Sequence, residues 1–66
     1  MNTVILGAGE SGLGAALLAK REGHQVFVSD KGLINEKYKQ GLIENAIPYE
    51  EGSHDFDRIL QADEII

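Results

Sequence analysis

The most constraining feature of this chain is a short apolar run that stops at a glycine-rich turn: Thr3-Val4-Ile5-Leu6, then Gly7-Ala8-Gly9-Glu10-Ser11-Gly12. A β-branched run ending at glycine suits a strand covered on both faces in a parallel sheet. From Ser11 to about Glu22 the apolar residues Leu13, Ala16, Leu17 and Leu18 follow a helical spacing. Ser11 is a fitting N-terminal residue for that helix, Lys20 and Arg21 complement its negative end, and Gly23 fits the left-handed position that stops it. GxGxxG therefore lies between a strand and a helix. Gly7 permits the tight turn, Gly9 removes a side chain where a phosphate must approach backbone, and Gly12 lets helix pack on strand. Unpaired N–H groups and the positive end of the helix dipole make this turn an anion site. The dipole contributes about 0.3 to 1 kcal/mol. A diphosphate is its natural occupant.

Gln25-Val26-Phe27-Val28-Ser29 is a second strand ending at Asp30, 18 residues after Gly12, which completes a βαβ unit. Asn35 can cap a second helix whose stripe is Tyr38, Leu42 and Ala46, although Gly41 inside it costs about 0.5 to 1 kcal/mol relative to alanine. Ile47-Pro48-Tyr49-Glu50 reads as a short edge strand, where proline is tolerated. Gly52-Ser53 makes a turn, Phe56, Ile59 and Leu60 share a face of a third helix, and Ala62-Asp63-Glu64-Ile65-Ile66 opens a buried fourth strand. Right-handed crossovers then predict a Rossmann-like α/β fold, a parallel sheet in the order 3-2-1-4 with flanking helices, truncated at its C-terminal strand. Winding reverses after the first strand, and ligands bind there.

Composition narrows the partners. A net charge of −5 argues against nonspecific binding to nucleic acid or an anionic membrane. No apolar run approaches the roughly 20 residues of a membrane span, and the start lacks the basic segment of a signal peptide, so a cytoplasmic location is expected. With 42% hydrophobic and 26% charged residues the chain falls outside the disordered regime. A chain this short buries only roughly 60% of its unfolded surface, and without cysteine no disulfide helps. The expectation is one domain, residues 1–66, of a longer enzyme.

Asp30 stands where a nucleoside would lie. It suits the ribose hydroxyls of an adenosine dinucleotide or the imide N–H of uracil, and spacing does not choose between them; a solvated acid paired with Lys31 is the plainer alternative. Glu10 must turn away from the turn it belongs to, because a carboxylate about 4 Å from a phosphate is repelled by about 4 kcal/mol at an effective dielectric near 20. His24 follows the helix-ending glycine as a surface or cap residue, whereas His54 adjoins Gly52-Ser53 and is a lesser candidate to approach a nucleotide. Phe27, Tyr38, Tyr49 and Phe56 read as packing, and the acids at Glu50-Glu51 and Asp55-Asp57 as a solvated rim. GxxxxGK[ST] is absent, as is any metal-ligand spacing, so no catalytic residue and no cofactor is expected on these residues.

VILGAGESGLGAALLAKREGHQVFVSDKG together with EGSHDFDRILQADEII resembles the N-terminal domain of the D-glutamate-adding Mur ligases over essentially the whole chain. The specific parts are GxGxSG followed by Leu13-Gly14, Ser29-Asp30-Lys31, Gly52-Ser53 and Ala62-Asp63. The resemblance implies a first domain that grips the UDP of UDP-N-acetylmuramoyl-L-alanine, beside a central ATP-binding domain and a C-terminal domain. By position it implies that Glu10 and Ser11 contact the diphosphate through backbone, with the Ser11 hydroxyl added. Asp30 and the Lys31 backbone would contact uracil, and Gly52 and Ser53 would wall the pocket. The chain departs from some members of that family, which have an apolar residue at the position of Glu10 and a small hydroxyl residue at that of Lys31, so side-chain contacts at those two positions would not carry over. The implied reaction of the full enzyme serves peptidoglycan synthesis: ATP phosphorylates the terminal carboxylate of the UDP-sugar peptide, the amine of D-glutamate displaces the phosphate, and Mg²⁺ neutralises charge. The competing function is an NAD(P)-binding module of an oxidoreductase or regulatory protein, which the same turn and Asp30 would serve.

Overall fold

A computed structural model describes residues 1–66. Strand β1 (Asn2–Leu6) is followed by helix α1 (Glu10–Arg21), β2 (Gln25–Asp30), α2 (Glu36–Glu44), β3 (Tyr49–Glu51), α3 (Phe56–Leu60) and β4 (Glu64–Ile65). The sheet is parallel throughout, in the order β3-β2-β1-β4. Val4 pairs with Phe27, Leu6 with Ser29 and Val28 with Tyr49. The fold class is therefore the one expected, an α/β sheet flanked by helices.

Alternation along the strands sends side chains to two faces. Ile5, Val26 and Val28 face α1 and α2 and pack with Ala16, Ala19, Leu42 and Ile47, whereas Val4 and Phe27 face α3 and pack with Ile59. Ile5, Val28 and Leu42 are fully buried, each contributing about 1.5 to 3 kcal/mol of transfer free energy. The chain thus crosses from one face to the other between β3 and β4, which leaves the loop after β1 at the reversal point.

Local chemistry fixes the helix ends. Gly23, at φ +87°, ends α1: its N–H donates to Lys20 O and that of His24 to Ala19 O, the paired bonds of a Schellman turn. Asn35 caps α2 by accepting from Lys37 N at 2.9 Å, as its side chain predicts. Gly41 has a packing reason, since a Cβ there would lie 2.8 Å from Leu13 Cδ2; the backbone cost of glycine lets α1 and α2 approach.

Several expectations are corrected. Ser11 does not start α1. The cap is Gly9, without a side-chain bond, and Ser11 lies within the first turn. Leu17 and Leu18 are exposed, and the buried face of α1 is Ala16 and Ala19, because small residues let the helix sit close to the sheet. Ala46 does not continue the stripe of α2. It adopts a left-handed φ of 55° just past the helix, and Ile47 N–H donates to Leu42 O as Ile47 folds back into the core. Only Ile59 of α3 is buried; Phe56 is 66% and Leu60 77% exposed, because five residues present only one side chain to the sheet. The edge strand begins at Tyr49 instead of Ile47, with Pro48 O accepting from Val28 N just before it. β4 is exposed, not buried, at the other edge.

Candidate functional site

The carboxyl ends of β1, β2 and β3 bring the three turns singled out in the sequence to one edge. Gly7, at φ +94°, turns the chain out of β1, and its N–H donates to Ser29 O at 2.8 Å, tying the turn to the end of β2. Gly12 lies against that turn: a Cβ there would lie 1.9 Å from Gly7 O, so only glycine permits this approach of α1. At Gly9 a Cβ would meet nothing within 4 Å, leaving the face of the turn open. Glu10 is exposed, and its side chain has no hydrogen-bond or ion-pair partner. Ser11 is likewise exposed.

Asp30 is neither a solvated acid nor paired with Lys31. Its Oδ2 accepts from Ala8 N at 2.8 Å and its Oδ1 from Gly32 N at 2.9 Å. One carboxylate thus pins the glycine turn to the loop after β2, and each oxygen keeps a second lone pair for a ligand donor. Lys31 has no carboxylate partner and is exposed. Gly52, at φ +83°, donates its N–H to Gly32 O at 3.0 Å, so the turn carrying Gly52 and Ser53 joins the same edge.

Two hydrogen-bonded groups whose pairing the sequence did not indicate complete this edge. Ser29 is fully buried, its Oγ 2.7 Å from Glu50 Oε2 and 2.6 Å from His54 Nδ1; Glu50 Oε2 also accepts from Asp55 N at 2.7 Å. Glu50 is therefore a structural acceptor, not part of a solvated rim. Sequence spacing gave no sign of it, because the partners lie 21 and 25 residues from Ser29. On the far side of Asp30, Lys39 Nζ donates to Glu51 Oε1 at 2.7 Å, and Glu51 Oε2 accepts from Ile34 N. The hydrogen bond from Lys39, then that from Ile34, hold the Glu51 carboxyl below its ordinary range, while the bond to Glu51 raises Lys39.

A cleft of about 470 Å³ lies at the opposite, amino edge, where Thr3, Lys20, His24, Phe27 and Arg58 meet. His24 Nδ1 is 3.1 Å from the buried Thr3 hydroxyl, and the Arg58 guanidinium stacks 3.7 Å over the Phe27 ring. Its volume reflects the short β3, which leaves the start of β2 without a neighbour; none of the glycine-turn residues lines it. No group of three or more His, Asp or Glu side chains is placed to hold a metal ion. No helix is long and apolar enough to cross a membrane.

Comparison with known proteins agrees with this geometry. A family model described as the MurD N-terminal domain matches residues 2–66. The chain belongs to the MurD N-terminal domain family. It is 64% identical over 63 residues to the UDP-N-acetylmuramoylalanine--D-glutamate ligase of Porphyromonas gingivalis, 57% to that of Bacteroides thetaiotaomicron and 49% to that of Christiangramia forsetii. Each match covers 96% of this chain and 14% of the relative, so the chain spans about a seventh of the length of these ligases.

Proposed function

We propose that residues 1–66 form the UDP-substrate-binding domain of an ATP-dependent ligase that adds D-glutamate to UDP-N-acetylmuramoyl-L-alanine, in the cytoplasmic stage of peptidoglycan precursor synthesis. The observation that carries this reading is the joining of the glycine turn to Asp30 through Ala8 N, in a chain 64% identical to a ligase of that name. The amides from Gly9 to Gly12 take the diphosphate at the positive end of α1. Asp30 and the Lys31 backbone take the uracil, and Gly52 and Ser53 close the pocket. ATP and Mg²⁺ belong to the remaining domains of the ligase: these residues offer no phosphate-loop lysine and no metal-ligand group, so no chemical step is assigned to them. An NAD(P)-binding module shares the turn, but family membership favours the uridine nucleotide.

Asp30→Ala in the full-length ligase tests this. It removes a ligand acceptor and releases Ala8 and Gly32 N–H together, so the KM for the UDP substrate should rise at least about tenfold, the equivalent of one lost hydrogen bond to a charged group. The KM for ATP should change little. Equal effects on both would count against the uracil role. Calorimetry that shows binding of NADH and none of UDP-N-acetylmuramoyl-L-alanine would overturn the assignment altogether.

A further inference from the structure

We infer that His54 is a binding residue of this site, held by Ser29 and Glu50 so that its Nε2 accepts a hydrogen bond from a ribose hydroxyl of the nucleotide; this rests on the nucleotide reading above. Counting protons shows which partner donates in the contact between Ser29 and His54. Ser29 has one hydroxyl proton and two close neighbours, Glu50 Oε2 at 2.7 Å and His54 Nδ1 at 2.6 Å. An ionised carboxylate only accepts, so the Ser29 proton goes to Glu50. His54 Nδ1 must then carry its own proton and donate it to Ser29 Oγ. Nε2 of the neutral ring is left as an acceptor.

That nitrogen is free and within reach of solvent. It has no hydrogen-bond partner in the fold, and no buried side-chain nitrogen or oxygen lacks one, so Nε2 is not buried. The ring itself is fixed: Ser29 is fully buried, Glu50 is held by Asp55 N, and Phe56 meets the imidazole edge-on at 5.9 Å between centroids. The position is also right. Ser29 pairs with Leu6, the residue before Gly7, and its carbonyl accepts from Gly7 N. His54 is therefore linked through Ser29 to the start of the glycine turn, on the face of β2 opposite Asp30. With the base assigned to Asp30, the remaining donors of a nucleoside are its ribose hydroxyls. Both ribose hydroxyls can donate to such an acceptor, so removing the one that Nε2 meets should weaken binding and removing the other should not.

The test uses the full-length ligase with UDP, 2′-deoxy-UDP and 3′-deoxy-UDP as calorimetric probes. His54→Asn keeps a donor toward Ser29 and removes the acceptor, so it should bind UDP roughly tenfold more weakly, the effect of one hydrogen bond. One deoxy compound should bind the wild type about tenfold more weakly than UDP, yet bind wild type and His54→Asn alike, the coupling expected of a direct contact. His54→Gln, with an oxygen near the place of Nε2, should restore part of the affinity. Nitrogen NMR of the imidazole should show the proton on Nδ1, and Ser29→Ala should release that preference. A proton on Nε2, or equal losses for UDP and both deoxy compounds in His54→Asn, would overturn the inference and leave a purely structural histidine. Failure of the wild type to bind UDP at all would instead sink the nucleotide reading itself.

Discussion

Gly12 shows how much one residue can decide. An alanine Cβ would sit 1.9 Å from Gly7 O, and both partners are backbone, so neither can step aside. Gly12→Ala should cost about 3 kcal/mol of stability or shift α1 off the turn. Gly14, two residues on in the same helix, has nothing within 4 Å of such a Cβ, and Gly14→Ala should gain up to about 1 kcal/mol from helix propensity. Denaturant midpoints moving in opposite directions would confirm the contrast; a neutral Gly12→Ala would refute it. Glu10 carries a second expectation at this scale. Exposed and unpartnered beside the turn proposed to take the diphosphate, it would add only repulsion, so Glu10→Ala should bind the UDP substrate as tightly as wild type or more tightly by calorimetry, and a large loss of affinity would place its side chain in the site. The glycine spacing and Asp30 were legible from the sequence because each answers a backbone requirement. That Asp30 reaches Ala8 N was not, since nothing in the spacing of residues says which donor a carboxylate will find first.

Among the elements, α2 and β3 are joined by charge. Lys39 and Glu51 are 21% and 25% exposed and meet at 2.7 Å, with Glu36 adding a longer contact to Lys39. The lowered Glu51 carboxyl contributes stability at neutral pH that is lost as pH falls from the ordinary glutamate range through its folded value. The raised Lys39 contributes below the ordinary lysine range, and its share is lost as pH rises through the folded value. Glu51→Gln should therefore flatten the acid limb of the stability profile measured by denaturant titration at stepped pH. An unchanged acid limb would show the pair to be incidental. Helix caps were legible in the same way as the glycines: Asn35 caps through its side-chain oxygen and Gly23 through the backbone freedom of a residue without a Cβ. Helix faces were not. Leu17, Leu18, Phe56 and Leu60 satisfy a helical period and still point outward, because periodicity marks an apolar side without saying how closely the sheet approaches it.

For the whole molecule, the question is which end of the sheet works. The carboxyl edge gathers the three turns, yet a cleft of about 470 Å³ opens at the amino edge. Hydrogen exchange on the full-length ligase, with and without UDP-N-acetylmuramoyl-L-alanine, separates the two: protection is expected at residues 7–12, 30–32 and 52–54. Protection confined to residues 20–27 and 58–62 would move the site to the amino edge. Order and handedness of the strands followed from the sequence, since short crossovers between parallel strands run one way and the turn residues punctuate them. By itself, then, the sequence determined the alternation of strand and helix, the sheet order and the glycine turn facing an acid, all of which depend on local backbone preferences and chain connectivity. Only the tertiary structure decided that Asp30 staples that turn, that Ser29 and Glu50 orient His54, and that Gly41 is where α1 and α2 touch. Those contacts join residues 21 to 28 positions apart, and the packing of the elements, not their propensities, sets which atoms meet.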